Sequence, residues 1–376
     1  MADALRVAYW NNTPAPYMVD RFNAVADRGV LDFEAWFTET TVPHRTWEVR
    51  PETWRFAHRF ARVARVGGAL VGLPPRVPSD SVPDVVVSLY AEAPYLTRLA
   101  WPRLRRAKTA LWVEVTFDSW VHRTRVKEAA KRVAFSHADG ILTAGEDGRR
   151  YAVRYGASGD RIHVVPHVID AARFRAAAGR AAARRDDLRR RLGLRGLTFL
   201  YVGRLWSGKG MDDLLTAFAL AQTAAARDLS LLLVGQGADE GPMRHRIARE
   251  GIDGVVFAGF HQQDELGAFY AASDVFVFPT LGDPYGLVVD EAMACSLPVV
   301  SSDAAGEIAP RIVDGHNGYV VKAGDPRELA ARMVGLAEDA GLRRRMGRAA
   351  WEVVSWQSPE RWARDFEQAV LAVAGA

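Results

Sequence analysis

The sequence predicts an α/β protein of two doubly wound domains, and three observations support this. Short apolar runs rich in β-branched residues alternate with helical patterns, which is typical of a parallel sheet covered by helices. The alternation occurs twice, before and after a polar, Arg-rich stretch at 176–194. The length of 376 residues favours two domains, and no run approaches the ~18 apolar residues of a membrane-spanning helix.

The first half, residues 1–175, is predicted to form one Rossmann-like domain. Its six strand-like runs are 5–10, 31–37, 83–90, 109–115, 139–145 and 162–166. The stretch 176–194 has no strand pattern, so we interpret it as the interdomain connection with an exposed helix. Two such domains in tandem are expected to face each other across a cleft, where a ligand can contact both.

The second half, residues 195–355, repeats the pattern as a second Rossmann-like domain. Its strand-like runs are 197–203, 229–235, 255–259, 274–280, 297–302 and 318–321. The last segment, 356–376, reads as an amphipathic helix opened by Ser358 and Pro359. We expect this helix to cross back and pack on the N-terminal domain.

Charge and cysteine content suggest the compartment. Residues 55–132 carry 15 Lys and Arg against 6 Asp and Glu, a bias that suits an anionic membrane or simply a solvated surface. We expect no nucleic-acid partner. The single cysteine, Cys295, cannot form an intrachain disulfide, and the N-terminus has no leader pattern. The expected location is cytoplasmic, with a peripheral position at the inner membrane face as an option.

The loop after the first strand of the second half contains three glycines, Arg204 and Lys209. Glycine lets the backbone approach a phosphate closely, and the following helix start offers free N–H groups. The two cations are placed to neutralise a diphosphate, although a surface turn with solvated cations has the same pattern. The loop lacks the GxxxxGK[ST] spacing of a Walker motif.

The stretch GDPYGLVVDEAMACSLPVV, 282–300, places two acids where a structural helix seldom needs them. Asp283 precedes a Pro-Tyr-Gly turn and can cap the next helix. Glu291 lies deeper in that helix among apolar neighbours, and a buried carboxylate needs hydrogen-bond partners. A pair of vicinal hydroxyls, as on a ribose, would suit it.

These two motifs, GRLWSGKG and GDPYGLVVDEAMACSLPVVSS, together resemble those of family-four retaining glycosyltransferases of the GT-B fold. The resemblance covers roughly residues 195–325 and includes the family's acid-x7-acid spacing, here Asp283 to Glu291. It implies a nucleotide diphosphate sugar as donor and a hexose-like unit transferred with retention, with no metal and no cofactor. The acceptor would be a carbohydrate, a lipid-linked intermediate or a small molecule.

The resemblance also implies roles for individual residues. Gly203, Arg204, Lys209 and Leu287 would bind the donor diphosphate; Asp283, Tyr285 and Gly286 would contact the sugar; Glu291 would hold the ribose; and Phe260 would flank the base. Asp283 stands where the family usually has Glu, and His167-Val168 replaces an Asn-Gly pair. In the first half, Asp118 and His122 are the candidates to touch the donor sugar, with a helix cap and a solvated helix face as their structural alternatives.

We therefore predict a retaining glycosyltransferase whose catalytic candidates are Asp283, Glu291, Asp118 and His122. Two other functions remain open at this point. One is a GT-B enzyme of another reaction type, a nucleotide-sugar epimerase or a phosphorylase. The other is a non-catalytic protein that binds nucleotide sugars or scaffolds a membrane through its basic face.

Overall fold

A computed structural model describes residues 4–39, 47–66, 69–89, 95–114, 116 and 125–375. The described residues form two compact units. Unit 1 contains those up to 167 together with 359–375, and unit 2 contains 168–358.

Each unit is built on a parallel sheet. The strands of unit 1 are β1 Arg6–Asn11, β2 Asp32–Phe37, β3 Ala57–Phe60, β4 Arg62–Val66, β5 Ala69–Leu73, β6 Val85–Leu89, β7 Lys108–Val113, β8 Gly140–Thr143 and β9 Ile162–Val164. Those of unit 2 are β10 Leu197–Val202, β11 Leu229–Val234, β12 Val255–Gly259, β13 Val275–Phe278, β14 Val299–Ser302 and β15 Gly318–Val321. The sheet orders are β3-β2-β1-β6-β7-β8-β9 and β12-β11-β10-β13-β14-β15, and β4 and β5 form a separate antiparallel hairpin.

Helices connect the strands along the chain. They are α1 Pro16–Arg28, α2 Tyr95–Leu104, α3 Arg125–His137, α4 Glu146–Arg154, α5 Ala171–Ala182, α6 Arg185–Leu192, α7 Met211–Ala224, α8 Glu240–Glu250, α9 Leu266–Ala272, α10 Leu287–Ala294, α11 Pro326–Glu338, α12 Ala340–Val354 and α13 Pro359–Gly375. Among the described helices, none has the length and apolar character needed to cross a bilayer.

All twelve strands expected from the sequence are present, and the structure adds β3, β4 and β5. These three have weak sequence signals. Three of the four residues of β3 are exposed, because β3 pairs only with β2 at the edge of the sheet and needs no apolar run. The β4 sequence, RVARV, has its two arginines three residues apart, so it lacks the period-two alternation by which a half-buried strand is recognised.

The stretch 176–194 belongs to unit 2. It forms the end of α5 and all of α6, and both helices pack against α9. The units therefore divide after residue 167, eight residues before the predicted boundary at 175. The polar residues that suggested a linker lie on the exposed face of these two helices. Arg and Ala are common in exposed helices as well as in connections, so the composition did not distinguish the two.

Helix α13 lies in unit 1 against α1. The Trp362 ring centroid is 6.3 Å from that of Phe22, and the Phe366 centroid is 5.8 Å from that of Tyr9. Arg28 Nε donates to Glu367 Oε1 at 2.9 Å along the edge of this contact. The aromatic residues of the first half that pack here stabilise the fold by burying large apolar rings.

Candidate functional site

The candidate site lies at the reversal point of the sheet in unit 2. Strand β10 pairs with β11 on one side and with β13 on the other, so the chain leaves β10 and β13 in opposite directions along the sheet. The loops that follow these two neighbouring strands lie at their carboxyl ends, the position at which doubly wound sheets bind ligands. One loop carries Arg204 and Lys209, and the other carries Asp283.

The loop after β10 is shaped by glycines. Gly203 has φ 151°, and a Cβ there would lie 2.8 Å from the hydroxyl of Tyr201. A turn of 3-10 helix, Ser207–Lys209, leads into Gly210 at φ 70°, which caps α7. The first N–H groups of α7 therefore point out of the helix end, while the exposed Arg204 side chain stands beside the loop.

Gly210→Ala is expected to lower the free energy of unfolding by about 1–3 kcal/mol. A Cβ at this position would overlap the carbonyl oxygen of Pro279, and its positive φ already disfavours a side chain. Urea unfolding monitored by circular dichroism measures the change. Gly241→Ala in α8 is the control, because open space surrounds Gly241 and helical Ala should stabilise. Equal midpoint shifts in both variants would contradict the close-approach argument.

Lys209 joins the two loops. Its side chain is nearly buried, and Nζ forms an ion pair with Oδ2 of Asp283 and lies 3.3 Å from the carbonyl oxygen of Gly282. The sequence motifs placed these residues on separate loops 74 positions apart. The structure brings the predicted phosphate-binding cation and the predicted sugar-contacting acid into direct contact.

Asp283 also shapes its own turn. Its Oδ1 accepts a hydrogen bond from the backbone N–H of Tyr285 at 2.9 Å. Its carbonyl accepts from Gly306 N at 2.8 Å, which ties the turn to the loop after β14. Asp283 thus organises the turn before α10. The backbone N–H of Tyr285, a residue predicted to contact the sugar, donates its hydrogen bond to Asp283.

Gly286 and Leu287 form the start of α10. Gly286 has φ 75° and caps the helix, and a Cβ there would lie 2.7 Å from the Phe278 ring. The carbonyl of Gly286 accepts from Val289 N, so the helix begins immediately after the turn. This helix end presents its positive dipole at the carboxyl end of β13.

A buried ion pair holds the turn from beneath, and the sequence analysis missed it. The side chain of Asp290 is fully buried and accepts from Arg311 Nη1 at 3.0 Å, from Gln357 Nε2 at 3.1 Å and from Tyr285 Oη at 3.2 Å. Arg311 also donates to the carbonyls of Tyr285 and Gly286. The sequence signal that could have indicated this pair is the adjacent acids 290 and 291. Neighbouring residues of a helix project in different directions, so two acids in an apolar helix need two separate partners.

Glu291 is buried in α10 with 7% of its surface exposed. Its Oε2 accepts a hydrogen bond from the hydroxyl of Tyr270 in α9 at 2.8 Å. Burial raises the pKa of Glu291 to about 7, and Asp290 adds to this, while the Tyr270 hydrogen bond and the charge of Arg173 lower it. The partner that the sequence required is therefore a tyrosine, and the carboxyl group titrates near neutrality.

Glu291→Gln is expected to stabilise the protein at pH 8 and to leave it nearly unchanged at pH 5. The folded-state pKa, about 7, exceeds the ordinary 4.5, so the stabilising contribution is full below pH 4.5 and is lost as the pH rises through 7. Gln carries no charge and can still accept from Tyr270. The gain in unfolding free energy should be about 1–3 kcal/mol larger at pH 8 than at pH 5.

Denaturant titrations at the two pH values measure this difference. Glu352→Gln, an exposed position on α12, serves as the matched control and should show none. A pH-independent effect of Glu291→Gln would mean that Glu291 is ionised throughout.

The structure says less about the other predicted site residues, Phe260, Asp118 and His122. Phe260 directly follows β12 and is 36% exposed, as a residue that flanks a bound base would be; its role stays a prediction. Asp118 and His122 lie outside the described residues. Within the described ranges, no group of three or more His, Cys, Asp or Glu side chains could hold a metal ion.

A cluster of three polar side chains, of which His167 and Arg21 are buried and Glu114 is half-buried, follows the strands of unit 1. Glu114 follows β7, and its Oε1 accepts from Trp112 Nε1 at 3.0 Å. The same oxygen is 3.7 Å from His167 Nε2, and His167 Nδ1 is 2.9 Å from Arg21 Nη1. The substitution of His for Asn at 167, noted in the sequence, therefore places an imidazole between a carboxylate and a guanidinium.

This chain is similar in sequence to known proteins over part of its length and similar in fold to solved structures over nearly all of it. Residues 196–339 match the family described as "Glycosyl transferases group 1". The D-inositol 3-phosphate glycosyltransferase of Streptomyces bingchenggensis (strain BCW-1) is 35% identical over 225 residues, 57% of this chain and 48% of that protein. The Thermomonospora curvata protein of the same name is 34% identical over 221 residues, 56% and 51% of the two chains. This chain spans about half the length of the curated relatives it matches.

Solved structures match nearly the whole chain. HepE of Anabaena, solved in complex with UDP and glucose, has a TM-score of 0.77 at 16% identity and covers 98% of this chain and 99% of its own. Sucrose-phosphate synthase from Thermosynechococcus elongatus has a TM-score of 0.74 at 19% identity, covering 98% of each chain. Two Rossmann-like units of this kind define the GT-B fold, so that prediction is confirmed.

Residues 196–339 are thus similar to the group 1 glycosyltransferases. The resemblance to family-four enzymes, predicted from the motifs around Lys209 and Glu291, is confirmed.

Proposed function

We propose that this chain is a retaining glycosyltransferase that moves a hexose-like sugar from a nucleotide diphosphate sugar to a hydroxyl acceptor. The observation that carries the proposal is the largely buried contact between Lys209 and Asp283 at the reversal point of the sheet in unit 2. It joins a loop suited to phosphates with a turn suited to a sugar, at the start of two helices. A structural surface turn would not need a cation and a carboxylate buried together.

In this proposal the donor lies along the carboxyl ends of β10, β13 and β12. The diphosphate is held by Arg204, Lys209 and the N-terminal amides of α10, including that of Leu287, with Gly203 allowing close approach. The ribose hydroxyls bind Glu291, and Phe260 flanks the base. When the donor binds, Lys209 turns to the phosphates and Asp283 is released to hydrogen-bond the sugar.

The departing nucleotide diphosphate gains negative charge as the glycosidic bond breaks. Arg204, Lys209 and the helix amides would stabilise that charge without a bound metal. A phosphate oxygen of the leaving group takes the acceptor's proton, and attack occurs on the face from which the nucleotide leaves, with retention. Activity that survives prolonged chelation with EDTA would support the metal-free step, and loss restored by a divalent cation would contradict it.

Unit 1 is proposed to bind the acceptor. Its sheet also reverses, between β1 and β6, and its carboxyl edge carries the polar group of Glu114, His167 and Arg21. Asp118 and His122 are proposed to contact the donor sugar. The acceptor class remains carbohydrate, lipid-linked or small molecule, and D-inositol 3-phosphate is the first compound to test because relatives carry its name.

We also propose a cytoplasmic location with a peripheral contact to anionic membrane through residues 55–132. The support is the net positive charge of that stretch. Binding to anionic vesicles should fall steeply as salt is raised, because exposed charges are screened over about 8 Å at physiological ionic strength. Equal binding to neutral vesicles would contradict the proposal.

The test of function begins with a thermal-shift panel of UDP, GDP, ADP and TDP sugars, with UDP-glucose first. Donors that raise the melting temperature are then incubated with and without acceptors, and products are analysed by mass spectrometry and anomeric NMR. A glycoside with the donor's anomeric configuration, formed only with acceptor, is the expected result. An epimerised donor formed without acceptor would indicate an epimerase, and no turnover of a bound donor would indicate a non-catalytic protein.

Donor affinity is expected to rise about tenfold between pH 6 and pH 8, because ionised Glu291 accepts from both ribose hydroxyls and titrates with a pKa of about 7. The intact sugar nucleotide is the correct probe, since its phosphates stay ionised across this range. Isothermal titration calorimetry on wild type and Glu291→Gln measures the effect. The variant should bind weakly and with no pH dependence; the same slope in both proteins would assign the titration elsewhere.

A further inference from the structure

Unit 1 contains a concave pocket of about 400 Å³ that includes none of the proposed donor or acceptor residues. Arg62, Arg76 and Arg105 line it together with Trp101, Val77, Pro75 and Pro78. The three arginines come from the start of β4, the segment between β5 and β6, and the residue after α2. They are far apart in sequence and meet only in the fold.

These three arginines carry charges that no described carboxylate pairs with, and all three are exposed. Arg62 Nε donates to the carbonyl of Pro74 at 3.3 Å, which fixes the guanidinium and leaves its terminal nitrogens available. Like charges gathered around one concavity repel each other, and an anion in the pocket would relieve that repulsion.

The wall of the pocket is rigid and partly apolar. The Trp101 ring packs edge-on against Trp36 at 5.5 Å, and Trp36 packs on Trp10 at 5.9 Å, so Trp101 is anchored to the sheet. The guanidinium of Arg105 lies 5.8 Å from the Trp101 ring centroid. Pro75 and Pro78 restrict the opposite wall through their fixed φ angles. Trp101 and the two prolines would therefore lose little freedom on binding, which favours affinity for the apolar part of a ligand.

We propose that this pocket binds the phosphate group of a ligand whose adjoining part is apolar. Guanidinium groups match phosphate oxygens in charge and geometry, whereas Trp101, Val77 and the prolines offer contact to carbon. The volume suits one small headgroup. A phospholipid headgroup and a soluble phosphate ester share this chemistry. The site is additional to the proposed transferase activity and does not depend on it.

The test compares two triple variants with the same change of charge. The pocket variant is Arg62→Gln/Arg76→Gln/Arg105→Gln. The control variant is Arg106→Gln/Arg125→Gln/Arg132→Gln, which changes exposed arginines of the same stretch, 55–132, outside the pocket. Circular dichroism and melting temperature check that both remain folded, and turnover of the best donor checks that unit 2 is intact.

Two probes are used on the full chain. The first is vesicles of phosphatidylcholine with about a third phosphatidylglycerol, measured by co-sedimentation; the second is sn-glycerol 3-phosphate, measured by calorimetry. The pocket variant should lose at least about tenfold in affinity and the control less than about threefold. If the pocket variant loses vesicle binding, the ligand is a phospholipid headgroup. If it loses only the binding of glycerol phosphate, the ligand is a soluble phosphate ester.

Two results would overturn the proposal. Equal losses in the pocket and control variants would show that only the overall charge of unit 1 matters, which would leave the membrane contact of residues 55–132 standing without a pocket. Failure of wild type to bind either probe at low salt would show that the pocket holds no phosphate.

Discussion

Lys209→Met should reduce donor turnover, kcat/KM, by about 10²–10³-fold. The substitution removes the cation that would neutralise the leaving diphosphate, and it also leaves Oδ2 of Asp283 without its ion-pair partner. Because the Asp283 side chain is only 17% exposed, we further expect about 1–3 kcal/mol of lost stability. Steady-state kinetics and urea unfolding measure the two effects separately.

A double variant tests the structural role of Lys209, and Asp283→Asn alone is measured beside it because Asp283 is itself a proposed sugar contact. Lys209→Met/Asp283→Asn removes both charges, so most of the stability should return, whereas turnover should stay low. Lys322→Met, an exposed position in unit 2, has the same charge change and should match wild type in both assays. If the double variant regained turnover, Lys209 would serve only to balance Asp283.

Arg311→Met is expected to destabilise the protein by about 3–5 kcal/mol. It leaves the carboxylate of Asp290 charged in a fully buried position, where Tyr285 and Gln357 are the remaining hydrogen-bond donors among the described residues. It also removes the hydrogen bonds that hold the carbonyls of Tyr285, Gly286 and Gly306. Because these carbonyls shape the turn that presents Asp283, donor affinity should fall together with stability.

The controls for this prediction use the same two measurements, chemical unfolding and donor titration. Arg348→Met, exposed on α12, should change unfolding by less than about 0.5 kcal/mol. Asp290→Asn/Arg311→Met should cost less than Arg311→Met alone, because no charge is left unpaired. A double variant less stable than either single variant would show that the hydrogen bonds of Arg311 outweigh its ion pair.

The two halves of the chain differ in how well their sequences predicted the structure. In unit 2 every strand was predicted, because buried parallel strands are continuous apolar runs bounded by glycine and polar turns. In unit 1 three strands were missed. The edge strand β3 contains His and Arg where a buried strand has apolar residues, the arginines of β4 break its alternation, and β5 is an apolar run of only five residues that contains a glycine. The arginine pocket adjoins this missed region, so the sequence alone could not bring its three cations together.

By itself the sequence determined the alternation of strands and helices, the two donor motifs and the chemical type of each candidate residue. These are local properties, read from apolar periodicity, glycine positions and the spacing of Asp283 and Glu291. Only the tertiary structure decided which groups meet: Lys209 with Asp283, Tyr270 with Glu291, and Arg311 with Asp290. The physical reason is that a buried charge or carboxyl group takes its partner from whichever strand or helix lies beside it, and that neighbour is set by the order of strands in the sheet.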